Sequence, residues 1–129
     1  MGDSILTILL VDDDPDTQDI FAILVAFHGA KLRAVHDAES ALNYLENHQP
    51  DLIVIDLFLD EVDGYQTLQL IRQSPFKPRC PMVATTAYYS PMTMSLSLLN
   101  GFDGYLEKPL SVNNLWPYFE ELILRKRYE

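Results

Sequence analysis

The chain has 129 residues and a formal net charge of −10, with 48% apolar and 22% charged residues. These figures fit one domain long enough to bury a core, exclude a disordered chain, and leave no apolar run near the roughly 20 residues of a membrane-spanning helix. Nineteen acids against nine bases disfavour direct nucleic-acid binding. The single cysteine, Cys80, excludes an internal disulfide, and Met1-Gly2-Asp3-Ser4 lacks a secretory start, so a reducing cytoplasm is the expected location.

The chain alternates short apolar runs with longer amphipathic ones. Ile5 to Val11 is apolar except for Thr7 and does not alternate in polarity, as expected of a strand buried on both faces. It stops at Asp12-Asp13-Asp14-Pro15, where Asp14 can cap a helix and Pro15 suits its first turn. That helix is predicted to run to about His28, with Ile20, Ile23, Leu24 and Phe27 at helical spacing and Gly29 as its stop. A strand over Lys31 to Val35 follows, then a helix from Ala38 to about Asn47 with Ala41, Leu42 and Leu45 on one face.

Leu52 to Ile55 reads as another fully apolar strand, ending at Asp56, and Gly64 to about Ser74 as a helix with Leu68 and Ile71 inward. Met82 to Thr86 is a strand, Ser90-Pro91 starts a helix that Asn100-Gly101 ends, and Gly104 to Glu107 is the fifth strand. The last helix, capped by Ser111, Asn113 or Asn114, runs to about Arg125; Pro117 lies past its first turn if Ser111 caps and inside it otherwise. Repeated strand–helix–strand units imply an α/β fold, a five-stranded parallel sheet doubly wound with helices on both faces. Ligands of such sheets bind at the carboxyl ends of the strands.

Those ends carry Asp12 and Asp13, Asp56, Thr86, and Glu107-Lys108-Pro109. The first and third strands should be neighbours, so three carboxylates converge and repel unless a hard divalent cation relieves them. A lysine and a hydroxyl close by suit the remaining oxygens of a phosphoryl group.

Taken in order, Leu9-Leu10-Val11-Asp12-Asp13-Asp14-Pro15, Ile55-Asp56, Asp63-Gly64, Thr86-Ala87 and Gly104-Tyr105-Leu106-Glu107-Lys108-Pro109 resemble the receiver domain of two-component response regulators across essentially the whole chain. The resemblance implies a flavodoxin-like sheet in the order 2-1-3-4-5. It implies Asp56 as the phospho-acceptor and Mg²⁺, with Mn²⁺ as a substitute, held by Asp12, Asp13, Asp56 and the Phe58 backbone carbonyl. Thr86 and Lys108 would bind the phosphoryl group, and Thr86 and Tyr105 would form a switch. The implied donor is a sensor histidine kinase or histidine phosphotransfer protein. A downstream protein, or a second copy in a homodimer, would meet the face made by the fourth helix, fifth strand and last helix. The receiver would fill residues 1–129 with no output domain, as a stand-alone phospho-acceptor and not a turnover enzyme. The Lys108-Pro109 bond is cis in many relatives.

Thr85 competes with Thr86, but the spacing to Lys108 and the following Ala87 favour Thr86. Met92, Met94, Leu96, Leu98 and Leu99 exceed one buried stripe, so some should be exposed. His28, His36 and His48 read as surface residues, Cys80 as chemically inert, and Arg125-Lys126-Arg127 as a helix end complementing its dipole. The chain departs from the family in placing Asp60 where relatives often have proline, with Glu61 and Asp63 adding charge. Phe58 and Tyr88 stand two residues beyond Asp56 and Thr86, flank the route of a hydrolytic water, and imply a long-lived phosphorylated form. Rival readings are a receiver-like interaction module that takes no phosphate, a phosphatase using an aspartyl phosphate, and a flavin-binding fold. Phe58, lacking acid–base chemistry, opposes the phosphatase, and the lack of a Gly or Ser/Thr-rich phosphate loop opposes the flavin fold.

Overall fold

The computed structural model describes residues 5–59, 62–108, 110 and 112–128. Its elements alternate along the chain: β1 (Thr7–Val11), α1 (Pro15–Phe27), β2 (Lys31–Val35), α2 (Ala38–Leu45), β3 (Leu52–Asp56), α3 (Gly64–Gln73), β4 (Met82–Thr86), α4 (Pro91–Leu99), β5 (Gly104–Glu107) and α5 (Val112–Arg127). All strand pairings are parallel and the sheet order is β2-β1-β3-β4-β5. The apolar runs explain this: β3 and β4 are buried at every residue, so each needs cover on both sides.

Successive strand residues point to opposite faces, and the core divides accordingly. Leu9, Val11, Ile53, Ile55, Met82 and Ala84 pack with Ala41 and Leu45 of α2 and Leu68 and Ile71 of α3. Ile8, Leu10, Leu52, Val54 and Val83 pack with Phe21, Leu24 and Val25 of α1 and Trp116, Phe119 and Leu122 of α5.

Four helices begin just beyond strand ends and carry side-chain caps. Asp14 accepts from Thr17 N–H at 3.3 Å, Asp37 from Ser40 at 2.8 Å, Asp63 from Gln66 at 2.8 Å and Ser90 from Thr93 at 3.0 Å. Gln66 returns the bond to Asp63 N–H at 3.1 Å, completing a capping box. Each cap contributes about 1 kcal/mol and fixes where its helix leaves the sheet. Gly29, at φ 74°, ends α1 in the left-handed region that favours glycine.

Three expectations are corrected. The inward face of α1 is Thr17, Phe21, Leu24 and Val25, while Ile20, Ile23 and Phe27 are exposed. This helix is apolar nearly all round, so periodicity cannot choose its face. Packing against α5 does, with the Phe21 and Phe119 rings stacked at 6.3 Å. The last helix starts at Val112, so Asn113 and Asn114 lie inside it and cap nothing, and Pro117 sits past the first turn, where it leaves the Asn113 carbonyl without its usual donor. Ser111 lies outside the described residues. The first strand starts at Thr7, not at Ile5, which is exposed.

Candidate functional site

The site assembles at the carboxyl end of the sheet. β1 delivers Asp12, β3 delivers Asp56 and β5 delivers Lys108. Parallel pairing of β1 with β3 brings the first two together, since Val11 stands opposite Ile55. Asp12 is fully buried, Asp56 nearly so and Asp13 half-buried, and their ligand oxygens all lie within 4.8 Å of one another. Lys108 Nζ spans the two buried acids, 2.9 Å from Asp12 Oδ2 and 3.5 Å from Asp56 Oδ2. The structure thus brings together Asp12, Asp13, Asp56 and Lys108, four of the residues singled out in the sequence.

The remaining polar atoms hold this pocket in shape. Asp12 Oδ1 accepts from Asp14 N–H at 2.9 Å, and Gln18 Nε2 donates to the Asp12 carbonyl at 2.7 Å. Asp56 Oδ1 accepts from Phe58 N–H at 3.1 Å, which leaves Oδ2 facing Lys108. Burial pushes the Asp12 carboxyl above its usual range, and the neighbouring Asp56 charge adds to this against the hydrogen bonds from Asp14 and Lys108. Burial alone would lower Lys108, but the hydrogen bond and charge of Asp12, then Asp56, outweigh it and raise its pKa. Three clustered carboxylate donors with no nitrogen or sulfur fit a hard cation such as Mg²⁺, which takes oxygen ligands and keeps some of its waters.

Thr86 is buried, and its hydroxyl accepts from Tyr88 N–H at 2.9 Å. Its carbonyl accepts from Lys108 N–H at 2.8 Å, tying the ends of β4 and β5 together. Thr85 is the residue in register with Asp56, and its buried hydroxyl has no hydrogen-bond partner among the described residues. Tyr105 is half-buried, its ring centroid 6.0 Å from that of Tyr89, and its hydroxyl is buried without a partner among the described residues. Burial raises its phenol pKa.

Phe58 and Tyr88, both exposed, meet edge to face with centroids 5.0 Å apart, one from the β3 end and one from the β4 end. Asp60, Glu61 and Pro109 lie outside the described residues, as does the Lys108-Pro109 bond.

All of Met92, Met94, Leu96, Leu98 and Leu99 are exposed, whereas Ser97 is the buried residue of α4. Tyr65 Oη and Ser97 Oγ lie 3.4 Å apart beneath it. This helix thus turns hydroxyls inward and apolar side chains outward.

Sequence reading missed Gln18 and, although Asp63-Gly64 was among its motifs, the steric role of Gly64. Gln18 braces the Asp12 backbone one helical turn into α1, a role no local motif signals. Gly64 lets α3 start against the Asp56 backbone: a Cβ there would stand 2.5 Å from the Asp56 carbonyl oxygen and 2.6 Å from Leu57 Cα. A glycine directly after a capping aspartate was the available signal.

The other singled-out residues carry no chemistry here. His28, His36 and His48 are exposed, though His28 stacks on Trp116 at 4.6 Å and His48 on Tyr44 at 4.2 Å. Burial pushes the Cys80 thiol up to about 12, so it stays protonated. Among the described residues no helix is long and apolar enough to cross a membrane.

The family model for the response regulator receiver domain matches residues 8–119. Among curated proteins the chain is 36% identical over 105 residues to an uncharacterized 14.6 kDa protein in the sodA1 3′ region of Leptolyngbya boryana, covering 81% of this chain and 80% of that protein. It is 32% identical over 122 residues to the transcriptional regulatory protein TrcR of Mycobacterium tuberculosis, covering 95% of this chain and 44% of that one. It thus spans less than half of that regulator. Among solved structures, a CheY-like response regulator receiver domain protein from Methanospirillum hungatei superposes with a TM-score of 0.85 at 26% identity, covering 97% of this chain and 98% of that one. The receiver domain of a sensor histidine kinase from Pseudomonas aeruginosa, described with a magnesium ion coordinated in its active-site cleft, gives 0.82 at 28% identity, covering 93% and 98%.

Proposed function

The chain belongs to the response regulator receiver family, and from that membership we propose that it accepts a phosphoryl group on Asp56, with Mg²⁺, from a histidine kinase or histidine phosphotransfer protein. The observation that carries this reading is Lys108 Nζ seated between Asp12 and Asp56 beside a cluster of three carboxylates. A solvated acidic loop would not bury two of those acids or hold them around one lysine.

In the proposed step an Asp56 carboxylate oxygen attacks the phosphorus of a phosphohistidine. The P–N bond breaks, the imidazole leaves with the bonding electrons, and a mixed anhydride forms on Asp56. Asp12, Asp13, Asp56 and the Phe58 carbonyl would hold the cation, which supplies charge neutralisation to the transferring group. The magnesium described for the Pseudomonas aeruginosa receiver domain supports this choice. Lys108 already faces Asp56 Oδ2, so only a small movement takes its ammonium to a phosphoryl oxygen. The Phe58 N–H bond to Oδ1 orients the acceptor.

The Thr86 hydroxyl, which accepts from Tyr88 N–H, would move to donate to a phosphoryl oxygen, and Tyr105 would swing inward into the space vacated. The exposed apolar side chains of α4, with β5 and α5, then form the surface read by a downstream protein or a second copy. Phe58 and Tyr88, in contact across the mouth, would restrict the attacking water and lengthen the life of the acyl phosphate.

The test is incubation with acetyl phosphate, with Mg²⁺ or with chelator, followed by intact mass. A single phosphoryl adduct is expected only with Mg²⁺, and none on Asp56→Asn. No adduct on the wild type supports the interaction-module reading, and multiple turnover of a phosphate ester supports the phosphatase.

A further inference from the structure

A second charged feature lies at the opposite end of the sheet. The α2–β3 and α3–β4 connections and the end of α5 enclose an open groove of 1370 Å³. Asp51 and Pro81 on its wall precede β3 and β4, and five strand residues at about 3.3 Å each put it about 16 Å from the acceptor end. Among the described residues Arg72, Lys77, Arg79, Lys126 and Arg127 line it against Glu46 and Asp51. Among the described residues, five of nine bases therefore meet two of fifteen acids in this groove. Its described lining carries +3 and the other described residues −9.

Two of these bases are already used. Asp103, which does not line the groove, takes Lys126 Nζ at 3.2 Å and Arg72 Nη2 at 3.5 Å. Lys77, Arg79 and Arg127 are exposed and have no ion-pair partner among the described residues. Lys77 adopts φ 39°, the left-handed region where a lysine is strained by about 1 kcal/mol or more and a glycine is not. A strained backbone that carries an unpaired cation at the rim is a feature that packing alone does not require.

We propose that this groove binds an acidic, extended segment of a partner protein. Charge complementarity is local, because the rest of the surface repels such a segment. The groove exceeds the about 300–1,000 Å³ of small-molecule sites. A nucleic acid is a poorer occupant, since its phosphates continue past the groove over a net acidic surface, within reach at a Debye length of about 8 Å. A second copy is poorer too: a two-fold dimer through this face would set the basic groove against itself, and the acids of its own acceptor site are largely buried.

The probe is a fluorescein-labelled ten-residue glutamate peptide, titrated with the full chain by fluorescence anisotropy at low salt. The groove variant is Lys77→Gln/Arg79→Gln/Arg127→Gln. A charge-matched control, Lys31→Gln/Arg33→Gln/Arg125→Gln, changes three exposed bases elsewhere. The expected result is binding by the wild type that weakens at least about tenfold in the groove variant and in about 0.3 M salt, and less than about twofold in the control. All substituted residues are exposed, so matching thermal melts are expected and establish that the variants fold. Absence of binding, or equal loss in both variants, overturns the proposal. So does tighter binding of a labelled ten-nucleotide oligothymidylate at the same residues, or salt-sensitive self-association lost in the groove variant.

Discussion

Gly64→Ala places one methyl group against the backbone that carries Asp56. The new Cβ would stand 2.5 Å from the Asp56 carbonyl oxygen, 2.6 Å from Leu57 Cα and 3.0 Å from the Asp56 carbonyl carbon. Ordinary contact needs about 0.5–0.9 Å more, and every obstructing atom is backbone, so the strand end or the start of α3 must move. Neither moves freely, because Gly64 N–H donates to the Leu57 carbonyl at 3.0 Å and the Asp63–Gln66 capping box fixes the helix start. Overpacking of this kind costs about 1–3 kcal/mol, less the small helix-propensity gain of alanine over glycine. For a domain of this length the melting temperature should fall by about 3–10 °C. A displacement of this size at the nucleophile should slow phosphoryl acceptance from acetyl phosphate at least about tenfold. Gly29→Ala is the comparison: its Cβ meets nothing within 4 Å, but φ is +74°, so stability should fall by about 1 kcal/mol with acceptance unchanged. Thermal unfolding and time-resolved intact mass read both effects. A Gly64→Ala protein that melts within a degree of wild type and is phosphorylated at the same rate would refute the steric reasoning.

Lys108→Met removes the cation shared by two buried carboxylates and should lower metal-free stability at pH 7 by about 1–3 kcal/mol. Asp12 binds its proton more tightly folded than unfolded, so the deficit should shrink as pH falls through its raised value. The Lys108 contribution itself is complete below 10.5 and is lost only as pH rises through its higher folded value. Melts from pH 4 to 8 check this, and a deficit independent of pH would mean the lysine acts through packing. Phe58→Ser and Tyr88→Ser should each shorten the half-life of the phosphorylated form several-fold, and the double change should fall short of the product because the rings touch. An unchanged half-life by mass time course would sink this idea. Tyr105→Phe deletes a buried hydroxyl that has no partner among the described residues, so stability should rise by about 1 kcal/mol or more, read as a higher melting temperature; a fall would show that the hydroxyl is bonded.

The sequence was most legible where two signals coincided. Fully apolar strands ending in acids located Asp12 and Asp56, and the register between β1 and β3 does bring them together. Lys108 followed because its strand is short and its position directly after Glu107 is fixed. What escaped depended on packing between elements. The α1 stripe of Ile20, Ile23 and Phe27 had correct helical spacing, yet Phe21 faces α5, and on a helix apolar all round only the neighbour decides. The five apolar residues of α4 were seen to exceed one stripe, but the outward turn of all of them, with Ser97 inward, needed the structure. Pro117 was read as evidence about the cap, and the helix simply accommodates it. Gln18 acts on the Asp12 backbone through a side-chain bond that no local pattern records, and the need for Gly64 comes from the Asp56 and Leu57 backbone packed against it.

The central claim is that Asp56, of the three clustered carboxylates, is the one that takes the phosphoryl group. Borohydride reduces an acyl phosphate on aspartate to homoserine, so reduction after acetyl phosphate and Mg²⁺, followed by peptide mapping, reads the modified residue directly. The account predicts homoserine at position 56 alone, absent when Mg²⁺ is chelated. Homoserine at Asp12 or Asp13, or at no position in a folded and Mg²⁺-treated sample, would contradict it.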